Sequence, residues 1–180
     1  MPETQIAVLG GGCFWCLEAV LDRVTGVQSV ESGYMGGRRA NPTYQQVCSG
    51  ATGHAEVVRV SFDPEQVSFR ELLDIFFTIH DPTTLNRQGN DVGAQYRSVI
   101  FYTSDEQRSE AEQTIAELNA SKAFSGPIVT AVEPAKEFYE AEDYHQEYYA
   151  SNSSAPYCQY IIAPKLKKFE EKFGKKTATQ

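Results

Sequence analysis

The stretch "GGGCFWCLEAV", residues 10–20, puts a cysteine directly after three glycines and a second cysteine three positions later. Cys13 falls where a glycine turn passes into a helix, among unpaired N–H groups at the positive end of the helix dipole. Both favour thiolate over thiol. A free cysteine ionises at about 8.5, and a helix N-terminus brings it to roughly 3.5–7.5. Cys13 thus has the setting of a nucleophile, with glycines that let a substrate approach and Phe14 and Trp15 as an apolar wall. Cys16, one turn on, faces roughly the same way, so a Cys13–Cys16 disulfide is a second chemistry open to this spacing.

Plainer readings stand beside these. The turn lacks the Lys-Ser/Thr of a P-loop and the spacing of a dinucleotide fingerprint. Buried structural cysteines are common. One CxxC, with Cys48, Cys158 and three scattered histidines, is a poor zinc set. A thioredoxin-like dithiol is the stronger competitor.

The elements that must hold these residues follow from periodicity. Thr4 to Leu9 reads as a strand ending at the glycines. Phe14, Leu17, Val20, Leu21 and Val24 recur at helical spacing until Gly26. Val27 to Tyr34 reads as a strand and Gly36 to Tyr44 as a polar loop. In His54 to Phe62, Val58, Val60 and Phe62 share one face of a half-buried strand. Ser68 and Glu71 make a capping box that opens a helix to about His80. A loop over 83–95 leads to a strand from Tyr96 to Tyr102, with Tyr96 on the face of Ser98, Ile100 and Tyr102. Ser104 and Gln107 open another helix to about Ala120. Ile128 to Val132 reads as a short strand and the acidic, tyrosine-rich Phe138 to Tyr149 as a helix. From about Ser151 a polar tail, expected to be irregular and mobile, carries Cys158 and a basic stretch from Lys165 to Lys176. No repeat or linker interrupts the 180 residues, which predicts one α+β domain over 1–180.

A net charge of −8 disfavours nucleic acid. No apolar run approaches the ~20 residues of a membrane helix. The opening residues lack the basic and apolar regions of a secretory signal. Four cysteines are too sparse for a disulfide scaffold. A soluble, cytoplasmic protein with free thiols is expected.

Three motifs, "GCFWCLE", "TGHAEVV" and "DVGAQYRS", follow one another in an order and spacing that resembles the A-class peptide methionine sulfoxide reductases, from about residue 6 to about residue 162. The resemblance implies a two-layer α+β sandwich with a mixed sheet and ferredoxin-like elements. It implies reduction of the S epimer of methionine sulfoxide, free or protein-bound, through a cysteine sulfenic acid and then a disulfide that thioredoxin reduces. That is a protein-repair activity against oxidative stress. No metal or organic cofactor is implied, and a monomer is expected. By the same resemblance Cys13 is the nucleophile, Phe14 and Trp15 form the methyl pocket, and Tyr44 and Tyr96 hydrogen-bond the sulfoxide oxygen. Asp91 matches a residue that binds substrate or orders the loop.

The chemistry asks for the same parts: a thiolate, a proton donor near the sulfoxide oxygen, and a pocket for the methyl group. Glu56 precedes Val58 and Val60 by two and four residues, so it points to their apolar face. A carboxyl there is desolvated, its pKa rises, and it carries a proton near neutral pH. The family's acid falls on this residue; a glutamate reaching water at a frayed strand end is the bland alternative. Oxygen transfer leaves a sulfenic acid, which a second thiol resolves to a disulfide. Cys158, in the tail and at the family's usual recycling position, is preferred. Cys16 stands where much of the family has glycine, and its place in a formed helix would strain a bond to Cys13; a relay from Cys13 to one partner and then to the other is a further route. Cys48 reads as a bystander, His54 as a structural group beside Glu56 with tuning of that acid as the alternative, and His145 as a structural support. Two other functions remain to be separated: a general dithiol oxidoreductase using Cys13 and Cys16, and a zinc-binding interaction module.

Overall fold

The structure is a computed structural model that describes residues 4–88, 91–146, 148, 154–156 and 158–173, with the backbone alone for Tyr144, Cys158 and Phe173. Six strands form one sheet. In chain order they are β1 (Gln5–Gly10), β2 (Val27–Met35), β3 (Ala55–Phe62), β6 (Val99–Tyr102), β7 (Ala131–Pro134) and β8 (Tyr139–Glu140). The short strands β4 (Arg87–Gln88) and β5 (Asp91–Val92) pair separately. The sheet runs β7-β6-β1-β3-β2-β8. All neighbours are antiparallel except β6 and β7, so the sheet is mixed, as expected of this α+β fold.

The two faces of the sheet are unequal. Ala7 and Leu9 of β1, and Val58, Val60 and Phe62 of β3, enter the larger core under the helices; the intervening Val8 and Val57 enter a small cluster on the far side. The period-2 alternation read in β3 is therefore real, and the side on which Glu56 falls is the helix side. The helices covering that side are α1 (Phe14–Leu21), α3 (Phe69–Ile79) and α5 (Ala163–Phe173), with α4 (Asp105–Ala120) alongside α3.

Local chemistry explains the helix starts. Ser68 accepts from the N–H of Glu71, and Glu71 returns the bond to the N–H of Ser68, a complete capping box. Ser104 accepts from Gln107, but the Gln107 side chain bonds the Thr103 N–H and the Ile6 carbonyl, tying α4 to β1 instead of closing the box. A second complete box, Thr43 with Gln46, opens α2 (Tyr44–Cys48), a one-turn helix where the sequence suggests only loop.

Three segments differ from the sequence reading. Tyr96 does not lie on a strand face: residues Ala94–Tyr96 form a 3₁₀ turn, and β6 starts only at Val99. Its carbonyl instead accepts the N–H of Gly12, which clamps the turn to the glycines before Cys13. The helix expected from Phe138 does not form over residues 138–146; β8 and a 3₁₀ turn, Asp143–His145, occupy that stretch. Gln146 explains this. Its side chain accepts from the Ser32 N–H and donates to the Ser32 carbonyl, both at 2.9 Å, so the segment is held to the edge of β2 and not to itself. In the C-terminal segment, a π-helical turn over Cys158–Ile162 leads into α5, whose Leu166 and Phe169 are buried against the core.

Candidate active site

Cys13 is the N-cap of α1, with extended backbone angles and no side-chain cap bond, and its side chain is buried. The glycines place it there by letting other groups close in. A Cβ on Gly11 would stand 2.8 Å from the His80 ring, and Gly12 has φ +86° with Gln88 against it. His80 donates through Nδ1 to the Phe76 carbonyl and accepts through Nε2 from Ser98 at 2.7 Å. Burial holds its pKa at about 4, so the ring is neutral, and with Nδ1 donating to the carbonyl, Nε2 is left to accept from Ser98.

Glu56 stands on β3 directly opposite Tyr34 of β2 and is fully buried. Its Oε1 accepts the first N–H of α1, from Phe14, at 3.2 Å. Burial pushes its pKa up to about 8, helped by the Asp91 charge; the Phe14 N–H and the neighbouring Cys13 thiol pull only partly the other way. The carboxyl is therefore largely protonated at neutral pH. The thiol lies beside it, yet no atom of the described residues meets Oε2 in hydrogen-bond geometry. A buried proton donor beside a thiol, with one oxygen open, is the arrangement an oxygen-abstracting reaction needs.

Around this pair stands an aromatic wall. Phe14 lies 5.7 Å from Tyr34 and 6.4 Å from Tyr44 between ring centres. Trp15 stacks on Tyr148 at 3.8 Å and donates its indole N–H to His145 Nδ1 at 3.1 Å. His145 in turn lies 4.3 Å from the Tyr44 ring. Glu142 ties the wall together: one oxygen accepts the Tyr34 hydroxyl at 3.0 Å, the other the Tyr44 N–H at 3.1 Å. Burial alone would raise Glu142, but these bonds outweigh it and hold the carboxyl below its usual range. The Tyr44 and Tyr96 hydroxyls are both pushed up, first by burial and then by the Glu56 charge, so each stays a hydrogen-bond donor.

The family profile described as "Peptide methionine sulfoxide reductase" matches residues 5–177. The chain belongs to that family. It is 56% identical, over all of its length and 95% of the relative's, to the "Peptide methionine sulfoxide reductase MsrA" of Polynucleobacter asymbioticus. The reductase also superposes on the crystal structure of Mxr1 from Saccharomyces cerevisiae in reduced form, with a TM-score of 0.79 and 38% identity over 87% of this chain and 90% of that one. It matches Mxr1 in complex with Trx2 with a TM-score of 0.56 and 29% identity, covering 81% and 85% of the two chains.

Most of the residues singled out in the reductase's sequence come together: Cys13, Glu56, Phe14, Trp15, Tyr44 and Tyr96, with Asp91 near enough to act on Glu56 and Tyr96 by charge. Cys16 is buried in α1, and its N–H bonds the Cys13 carbonyl at 3.1 Å. The Cys158 side chain lies outside the described residues. His54 does not tune the acid; its ring bonds the Gly37 N–H and the Arg39 carbonyl and shapes the loop after β2. Cys48, read as a bystander, stands close enough to Tyr44 and Tyr96 for the three groups to raise or lower one another's pKa. Its signal was the i,i+4 spacing from Tyr44, invisible without α2. Glu142, Tyr34 and Tyr148 carried no local signal at all.

Proposed function

We propose that this methionine sulfoxide reductase acts on the S epimer, free or protein-bound, through a sulfenic acid on Cys13. The Cys13 thiolate attacks the sulfoxide sulfur while the Glu56 carboxyl gives its proton to the oxygen. Tyr44 and Tyr96 steady that oxygen with their hydroxyls, and Phe14 and Trp15 pack the methyl group. The oxygen passes to Cys13 and carries the proton with it. Cys13 is oxidised by two electrons to the sulfenic acid, the substrate sulfur is reduced by two, and methionine leaves. A second thiol then displaces water and forms a disulfide. Cys158 is the proposed partner. Its π-helical turn contributes Tyr160 and Ile161 to the same cleft as Cys13, whereas a bond to Cys16 would disrupt the first turn of α1. The Trx2 complex of Mxr1 supports a thioredoxin as the reductant that reopens the disulfide. We further propose that the chain works as a single cytoplasmic domain.

The observation that carries this reading is the buried, protonated Glu56 beside Cys13 with one carboxyl oxygen open. The test is a single turnover without reductant. Reduced protein is mixed with the S or the R epimer of a methionine sulfoxide peptide, methionine is counted, and the disulfide is mapped by peptide mass spectrometry. One methionine per chain from the S epimer alone, with Cys13 joined to Cys158, is the expected result. No methionine from folded protein would leave the dithiol oxidoreductase as the better reading, and a Cys13–Cys16 bond would reassign the resolving thiol.

A further inference from the structure

Beyond the reacting atoms, a cleft of about 740 Å³ opens from Cys13 and Asp91. Its walls are the end of α3, Phe124 after α4, and the π-helical turn with the start of α5. Ligand pockets for whole small molecules run about 300–1,000 Å³, so this space greatly exceeds what a methyl sulfoxide group fills. The apolar lining includes two exposed residues on one turn, Tyr160 at 76% and Ile161 at 38% exposure.

The charge on the walls is not uniform. Asp91 lies on the reaction side, where its charge acts on Glu56. Lys165 and Lys168 line the α5 side, one helical turn apart. Neither lysine takes part in an ion pair among the described residues. The remaining carboxylate, Asp81, is spent on its own turn, accepting from the Thr83 N–H at 2.9 Å and from the Thr83 hydroxyl. Asp81 and Asp91 offset the two ammonium groups over the cleft as a whole, but the lysines stand together on the α5 side and make a local cationic patch in a chain of net charge −8.

We infer that this cleft seats the polypeptide running on from the oxidised methionine, and that Lys165 and Lys168 make the reductase prefer chains with Asp or Glu a few residues from that methionine. The inference rests on Cys13 being the nucleophile. The apolar floor takes the side chains near the sulfoxide, and the two ammonium groups meet carboxylates farther along. Because these contacts exist equally before and during oxygen transfer, they act on KM and leave kcat alone.

The experiment compares three substrates with dithiothreitol as reductant: N-acetyl-methionine sulfoxide, and two nonapeptides with a central methionine sulfoxide flanked by Glu or by Lys at the third and fourth positions on each side. The wild-type chain should show a KM several-fold lower, up to about tenfold, for the Glu peptide than for the Lys peptide, a gap that closes in high salt. The double variant Lys165→Glu, Lys168→Glu should reverse that order while N-acetyl-methionine sulfoxide is turned over within about twofold of wild type. Equal KM values for the two peptides, with N-acetyl-methionine sulfoxide still reduced, would overturn the inference and spare the nucleophile. A peptide order unchanged in the double variant would also overturn it, and if a parallel assay with thioredoxin in place of dithiothreitol then shows a raised KM for thioredoxin, the cleft belongs to the reductant. Failure of wild type to reduce N-acetyl-methionine sulfoxide would sink the nucleophile assignment and this inference with it.

Discussion

A carboxyl that is to release a proton at neutral pH has to be kept from ionising, and burial does this to Glu56. Its pKa of about 8 sets the expected rate profile: oxygen transfer falls as pH rises through about 8, because the donor has then lost its proton. Glu56→Gln should lower the single-turnover rate by roughly 10²–10⁴-fold and abolish that alkaline limb. Measuring methionine formation from pH 6 to 10 in both proteins checks this, and a limb that survives in the variant would reassign the acid. Stability reads the same group. The folded chain holds a proton on Glu56 that the unfolded chain releases above about 4.5, so stability declines between that pH and about 8. His80 has the opposite sign: its folded pKa of about 4 lies below the unfolded 6.5, so its contribution is complete above 6.5 and is lost as pH falls toward 4. The two slopes oppose each other in mildly acidic solution, and above about 6.5 Glu56 acts without that opposition. Denaturant unfolding of wild type should therefore give a lower midpoint at pH 8 than at pH 7, with the difference reduced in Glu56→Gln.

The elements were legible in proportion to how locally their polar groups are satisfied. Ser68 and Glu71 bond each other's backbone, so α3 could be read from four letters; Ser68→Ala should cost about 1 kcal/mol in urea unfolding. Residues 138–149 misled for the reverse reason. Their acidic and amide side chains look like those of a solvated helix, but Glu142 is taken by Tyr34 and Tyr44, and Gln146 by Ser32, all more than ninety residues away in sequence. Tyr96 misled in the same way, since its turn is fixed by Gly12. This makes Glu142 a positioning residue. Glu142→Gln weakens the bond to the Tyr44 N–H, and it should reduce kcat/KM several-fold while hydrogen exchange at the Tyr44 amide accelerates. An unchanged Tyr44 amide alongside reduced activity would point to a different role.

For the whole molecule, the fold class was legible from alternating strands and amphipathic helices, but the strand order was not. Neighbours such as β1 and β6 lie some ninety residues apart, and nothing local in either strand names the other. The site suffered the same limit. The motif cysteine, acid and tyrosines are visible as letters, while Cys48 and Tyr148 join them only once α2 and the segment after β8 are folded in place. The C-terminal helix is part of this assembly. Phe169 is fully buried against the core, so Phe169→Ala should cost about 3–5 kcal/mol, read as a lower thermal midpoint.

The pairing of Glu56 with Tyr34 across β3 and β2 has an evolutionary consequence. Both side chains reach the helix face by the parity of their strands, so a one-residue deletion within either strand would turn its member of the pair to the opposite side of the sheet. The connection between them, residues 36–54, carries no such parity. Length change is thus tolerable in that connection only outside the turn that carries Tyr44 and Cys48, as at the exposed residues 49–51, whereas a single residue lost inside β2 or β3 would dismantle the site.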